Sequence, residues 1–159
     1  MSRKVGAIIV RDKSIISTGY NGPPSGYPHC ECRDDKGVIN GSHVFGEWND
    51  VKLVYVCPRT RMNFKSGEGL EYCPAIHAEV NAILQAAREG ISIVGSSLYL
   101  NTGITPCREC AKAIVGAGVK EVVLNNQPIL YDKSGITGMD LLNSCHVKVR
   151  YNEENKSKD

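Results

Sequence analysis

Apolar positions fall into short runs early in the chain and into helical spacing later. Lys4 to Arg11 (KVGAIIVR) is a compact apolar run that predicts a buried strand. Ser14 to Thr18 (SIIST) predicts its hairpin partner, with Asp12-Lys13 as the turn. From Pro74 to Arg88 the apolar residues Ile76, Val80, Ile83, Leu84 and Ala87 recur at helical spacing, with Pro suited to the first turn and Gly90 to the stop. Ser97 to Asn101 predicts a strand. Thr105 to Val115 predicts a second helix, with Thr105 as N-cap, Pro106 at the first position, and Gly116 and Gly118 ending it. Glu121 to Leu124 predicts another strand, Ile136 to Asn143 a short helix, and His146 to Arg150 an alternating strand. Helices alternating with strands imply an α/β fold, a mixed sheet with helices packed on it.

The segment between hairpin and first helix breaks this pattern. Gly19 to Gly26 (GYNGPPSG) is rich in breakers, and Tyr27 to Tyr72 sustains neither period, although Val51 to Cys57 suits a short strand. A loop this long, 20–73, is expected to be functional, disordered or tied down. Residues 1–151 are expected to form a single domain that includes this loop, and 152–159 a polar, charged tail.

Composition narrows the function. Apolar residues make up 42% and charged residues 23%, as in ordinary globular proteins. The net charge of +2 argues against a broad footprint for long nucleic acid, while leaving room for a local basic pocket that takes a small phosphorylated ligand. No apolar run approaches the ~20 residues of a membrane helix, and the N-terminus lacks the apolar core of a signal peptide, so a cytoplasmic protein is expected. The seven cysteines are an odd number, and close pairs in a reducing compartment point to metal or redox chemistry.

Two motifs, each near a predicted helix start, carry that chemistry. The first is His77-Ala78-Glu79; the second is Pro106-Cys107-Arg108-Glu109-Cys110. One imidazole and two thiolates form a natural ligand set for zinc, and three protein ligands leave a tetrahedral position open for water, as catalytic zinc requires. Cys107 and Cys110 are three apart and share a helix face, and a helix N-terminus favours both thiolates. Glu79 is the expected proton shuttle, because hydrolytic deamination needs a hydroxide, then protons on the ring and on the departing amine. His-x-Glu followed by Pro-Cys-x-x-Cys is the signature of zinc deaminases. One tension accompanies it: residues two apart on an ideal helix face nearly opposite sides, so His77 and Glu79 can share the metal only in a loosely constrained first turn.

Beyond these motifs, Lys4-Val5-Gly6-Ala7, Ser17-Thr18-Gly19-Tyr20-Asn21-Gly22, His77 to Ile83 and Pro106 to Lys112 together resemble the deoxycytidylate deaminase family of the cytidine deaminase superfamily. The resemblance implies a three-layer fold, a five-stranded mixed sheet between helices. It implies conversion of dCMP to dUMP, feeding thymidylate synthesis, with Glu79 catalytic and His77, Cys107 and Cys110 on the zinc. It also implies substrate contacts from Asn21 to the sugar, from the Ala78 backbone to the base, and from Tyr131 near the base. A homo-oligomer, a hexamer in many members, is implied, with dCTP and Mg2+ activating and dTTP inhibiting near the Gly19, Tyr20, Asn21, Gly22 turn. For the 5′-phosphate, Arg3, Lys4, Arg108 and Lys112 are candidates, with Arg3 favoured because it precedes the first strand. A second, structural zinc is expected from among Cys30, Cys32, Cys57 and Cys73, since tying a long loop offsets its ordering entropy. His43 and His146 are read as structural and Cys145 as a core residue.

One departure stands out. Members of the family usually carry a helix ahead of the first strand, whereas here that strand begins almost at Met1; either the chain starts late or the helix is absent, and one sheet face is expected to lack its usual cover. The rival readings are a deaminase of another base (cytidine, guanine or a tRNA adenosine) and an inactive, zinc-stabilised binding module, which a retained Glu79 disfavours.

Overall fold

A computed structural model of the chain describes residues 4–27, 44–48, 51–54, 59, 62–65, 68–132 and 134–152, with backbone alone at 44–48 and 51–54. It divides into two compact units, Val5–Asn21 with His77–Asp159, and Met1–Lys4 with Gly22–Ile76.

The larger unit is the α/β body. Its strands are β1 (Gly6–Arg11), β2 (Ser14–Tyr20), β5 (Ser97–Leu100), β6 (Glu121–Leu124) and β7 (Lys148–Tyr151), and its helices are α1 (Ala78–Arg88), α2 (Arg108–Gly116) and α3 (Gly138–Ser144). The strands form one five-stranded sheet in the order β2-β1-β5-β6-β7. β1 runs antiparallel to both β2 and β5, while β5, β6 and β7 are parallel, so the sheet is mixed as expected.

Local chemistry explains the elements. Asp12 and Lys13 both take positive φ, 51° and 64°, the left-handed pair that a two-residue hairpin turn demands. A register shift between Ile9 and Val10 marks a bulge opposite β2. The strand period of two puts Ala7, Ile9, Leu98, Leu100, Val122 and Leu124 into one buried cluster with Ala82, Ala86, Ala111, Ile114 and Leu142 of the helices. α3 starts with a complete capping box, Thr137 Oγ1 accepting from the Asp140 amide at 3.1 Å and Asp140 Oδ2 accepting from the Thr137 amide at 2.8 Å.

Small residues set how closely α1 lies on β2. A Cβ on Gly19 would strike the Ala78 carbonyl oxygen and the Ala82 backbone, with Ala82 Cα at 2.9 Å. Buried Ser17 donates to the Ala82 carbonyl at 2.6 Å, and Asn81 Nδ2 donates to the Tyr20 carbonyl at 2.7 Å. Gly19→Ala is therefore expected to cost about 1–3 kcal/mol through overpacking. A thermal melt should fall by roughly 3–10 °C; an unchanged melt would contradict the close approach.

The exposed end of the sheet carries a charge cluster. Glu121, with a side chain 15% exposed, accepts from Arg150 and Ser97, each at 3.0 Å, and lies 3.6 Å from Lys148 Nζ. Burial raises its carboxyl, but the hydrogen bonds of Arg150 and Ser97 and the two cations outweigh this and hold it below the usual value of 4.5. A depressed folded pKa contributes stability above the unfolded value that is lost as pH falls through the folded one. Glu121→Gln should accordingly melt lower than wild type near neutrality, with the two curves converging once the pH has fallen below the depressed folded value; parallel curves across that range would refute the linkage.

Several boundaries shift from expectation. α1 begins at Ala78 rather than Pro74, and α2 at Arg108 rather than Thr105, because the residues ahead of each are extended. α3 runs Gly138–Ser144 and β7 Lys148–Tyr151, each displaced by one or two residues toward the C-terminus. Cys145 is exposed, not in the core, because it is the C-cap of α3, beyond that helix's apolar face. His146 follows at φ 57° in the turn that ends the helix.

In the smaller unit, β3 (Val44–Trp48) and β4 (Val51–Val54) form an antiparallel pair, and Leu70–Tyr72 is a single 3-10 turn. β4 lies within the short strand expected at 51–57; β3 has no counterpart among the expected elements. Gly22 and Ile76 pair through two backbone hydrogen bonds of 3.1 and 2.8 Å.

Candidate metal centre

His77 and Cys107 occupy equivalent places. Each is the N-cap of its helix, in extended backbone (φ −69°, ψ 154° and φ −69°, ψ 168°), and neither side chain caps its helix. An N-cap normally spends its side chain on the first-turn amides. Here an imidazole and a thiol stand in that position and turn to each other instead. Cys107 Sγ lies 3.4 Å from His77 Nδ1, and Cys110 Sγ, one turn into α2, lies 3.3 Å from the same nitrogen. The three donor atoms all lie within 4.8 Å of one another. The tension between His77 and Glu79 disappears in this geometry: His77 lies outside the helix, so ideal helical spacing does not separate the two.

The donor set fits zinc. Bonds of about 2.3 Å to sulfur and 2.0–2.1 Å to nitrogen at a tetrahedral angle place S and N about 3.6 Å apart. The observed separations are close to this, and two sulfurs with one imidazole are chemically matched to the ion. Among the described residues this is the one cluster of His, Cys, Asp or Glu that could hold a metal.

The electrostatics of the cluster favour a thiolate. A hydrogen bond from Cys110, followed by that of His77, lowers the Cys107 thiol to about 4 despite its burial. Cys110, 1% exposed, is pushed up, first by its bond to Cys107 and then by burial. The bond to Cys107 raises His77 against the opposing effect of burial. Glu79, 6% exposed and beside Cys110, is raised chiefly by burial.

A wall is built across from this cluster by the chain after β6. Tyr131 sits edge-on to His77, with ring centroids 5.7 Å apart at 68°. Its amide donates to Thr105 Oγ1 at 3.1 Å. Thr105 is thus not a helix cap; it is buried and holds the Tyr131 segment, a role that no spacing pattern signals.

The remaining candidates are placed as follows. Asn21 Oδ1 accepts from the Val5 amide at 2.9 Å, and its own amide donates to the Val5 carbonyl at 3.0 Å. Ala78 is fully buried at the start of α1. Arg108 donates to the Ser134 and Ile136 carbonyls, and Lys112 pairs with Glu109 at 2.8 Å on the surface. Cys73 is half-buried and not in a disulfide. Arg3, Cys30, Cys32, Cys57 and His43 lie outside the described residues. Sequence reasoning missed Asn101, whose Oδ1 accepts from the Gly6 amide at 2.9 Å at the end of β5.

A family model described as the cytidine and deoxycytidylate deaminase zinc-binding region matches residues 1–126, and the chain belongs to that family. Its class is that of the zinc-dependent hydrolytic deaminases. Among relatives, the deoxycytidylate deaminase of Enterobacteria phage T4 is 35% identical over 162 residues, covering 93% of this chain and 78% of that protein. The human deoxycytidylate deaminase is 30% identical, covering 89% of this chain and 70% of its own length. A crystal structure of dCMP deaminase from the cyanophage S-TIM5 in complex with dCMP and dUMP is similar at a TM-score of 0.60 and 31% identity, covering 96% of this chain and 83% of that one.

Proposed function

We propose that this chain hydrolyses dCMP to dUMP and ammonia and supplies dUMP for thymidylate synthesis. The observation that carries the reading is the convergence of His77, Cys107 and Cys110 with buried Glu79 beside them. The likeness to dCMP-acting relatives points to the same substrate.

His77, Cys107 and Cys110 would hold the zinc, which supplies the Lewis acidity that makes water nucleophilic near neutral pH. The Glu79 carboxylate takes a proton from the attacking water and delivers it to ring nitrogen N3; it then takes the remaining proton from the new C4 hydroxyl and passes it to the amino group, which leaves as ammonia while C4 becomes a carbonyl. Its burial keeps bulk water from competing for those protons. Tyr131, edge-on to the His77 ring, bounds the base; Ala78 offers backbone groups to it; Asn21 contacts the sugar; and Arg3 takes the phosphate.

The reading extends to the rest of the assembly. A second zinc is held from among Cys30, Cys32, Cys57 and Cys73. The chain assembles as a homo-oligomer, a hexamer, responding to dCTP with Mg2+ and to dTTP near Gly19, Tyr20, Asn21 and Gly22. It works in the cytoplasm; among the described residues no helix is long and apolar enough to cross a membrane.

The test is ammonia release by zinc-loaded protein from dCMP, CMP, deoxycytidine and dCTP, and from the rival substrates cytidine, guanine and tRNA adenosine. Preference for dCMP is expected. Activity on cytidine with none on dCMP would overturn the substrate assignment, and inertness toward every aminated base would favour a binding module. Metal analysis giving one zinc per chain rather than two would remove the second site.

A further inference from the structure

Arg108 follows the ligand Cys107 directly, and its guanidinium is engaged in an unusual way. Among the described residues it forms no ion pair. Instead Nε donates to the Ile136 carbonyl at 2.7 Å and Nη2 to the Ser134 carbonyl at 3.2 Å. Ser134, Gly135 and Ile136 are exposed, and Gly135 takes φ 69° to wrap the cation so closely that a Cβ there would fall 3.3 Å from Nη2.

The same stretch of chain is tied to the Cys107 turn at several other points. Thr105 N–H donates to the Ile129 carbonyl at 2.9 Å, and Ile129 N–H to the Gly103 carbonyl at 2.8 Å. Tyr131 N–H donates to Thr105 Oγ1, while within the segment Gly138 N–H donates to Asp132 Oδ2 at 2.9 Å. Gly138 sits so close to Pro106 and Cys107 that a Cβ would lie 2.9 Å from the Cys107 carbonyl. Residues 103–108 therefore form a spine along which the Tyr131 segment is laid, and Arg108 grips the exposed turn at 134–136.

We propose that Arg108 is a positioning residue, which clamps the segment after β6 onto the Cys107 turn and so holds Tyr131 against the His77 face where the base binds. The inference rests on the deaminase reading for the identity of that face. The alternative use of Arg108, as a ligand for the 5′-phosphate, is disfavoured by its two carbonyl partners, which already take donors that a phosphate would need.

Hydrogen exchange of the zinc-loaded protein, read on peptides spanning 128–138, tests the clamp without reference to activity. In Arg108→Met, exchange at the Tyr131 and Gly138 amides should rise about tenfold, as loss of charged hydrogen bonds to an exposed turn predicts. Zinc content should stay at the wild-type level. KM for dCMP should rise by a similar factor while kcat changes less than about threefold, because the base is positioned less well but the proton path is intact. Arg108→Lys, which can reach one carbonyl at a time, should fall between the two. Gly135→Ala attacks the grip from the other side and should reproduce the exchange result with Arg108 present. Unchanged exchange in both Arg108→Met and Gly135→Ala overturns the clamp, whether or not KM rises; a raised KM with unchanged exchange would assign Arg108 to direct contact with substrate. Wild-type protein inert toward dCMP would sink the dCMP assignment alone, leaving the exchange result to decide the clamp.

Discussion

Glu79→Gln should lower kcat for dCMP by about 10²–10⁴-fold, the usual worth of a positioned general acid–base group, with zinc still bound. The substitution keeps volume and hydrogen-bonding shape at a site that is 6% exposed, and it removes the one group there that can accept and return a proton. Stability should not suffer, because a buried carboxyl already held up by desolvation is replaced by a neutral amide. KM should change little, since substrate contacts are left in place. Ammonia release measured beside metal content checks this. A variant with full zinc and wild-type turnover would remove Glu79 from the mechanism.

Cys110→Ser should act through the opposite channel. The Cys110 sulfur lies 3.3 Å from His77 Nδ1, and the residue is 1% exposed, so bulk water cannot readily take its place as a donor. A serine oxygen is harder, shorter in reach and far less acidic than a thiol, and zinc affinity should fall by more than about 100-fold, beyond the usual loss for an outer-shell partner. Turnover should then track zinc occupancy, recovering in part with excess zinc, where Glu79→Gln would not recover at all. Dialysed protein assayed for metal and activity together separates the two variants. Full zinc in dialysed Cys110→Ser would show that the cluster is not the binding site.

The chemistry is more legible in the sequence than the boundaries around it. His77, Glu79, Cys107 and Cys110 announce themselves because metal ligation restricts residue type and spacing at once. Their local backbone is harder to read: Pro74 and Pro106 look like first-turn prolines, yet Pro106 directly precedes the extended N-cap Cys107, and Pro74 lies three residues ahead of the extended N-cap His77. The propensity signal for a helix start is local, whereas the cap is fixed by where the donor atoms must meet. β5 and β6 are legible because their apolar runs are buried on the sheet and closed by turn residues. β3 escapes because Val44–Trp48 (VFGEW) has a glycine at its centre and no sustained alternation. The roles of Thr105 and Asn101 leave no trace in the pattern, since each acts through one side-chain oxygen on a backbone amide distant in sequence.

The unequal starts of the helices bear on how this protein comes apart. α3, which bears none of the proposed metal ligands, is closed by its own side chains, while α1 and α2 begin with residues that give nothing to their first amides. An ion joining His77 to Cys107 and Cys110 fastens those two beginnings together, so it is a rivet as well as a reagent. Stripping it with a chelator should loosen the opening turns of both helices before the sheet gives way, and protein made under zinc starvation should be a mixture of fastened and fraying molecules.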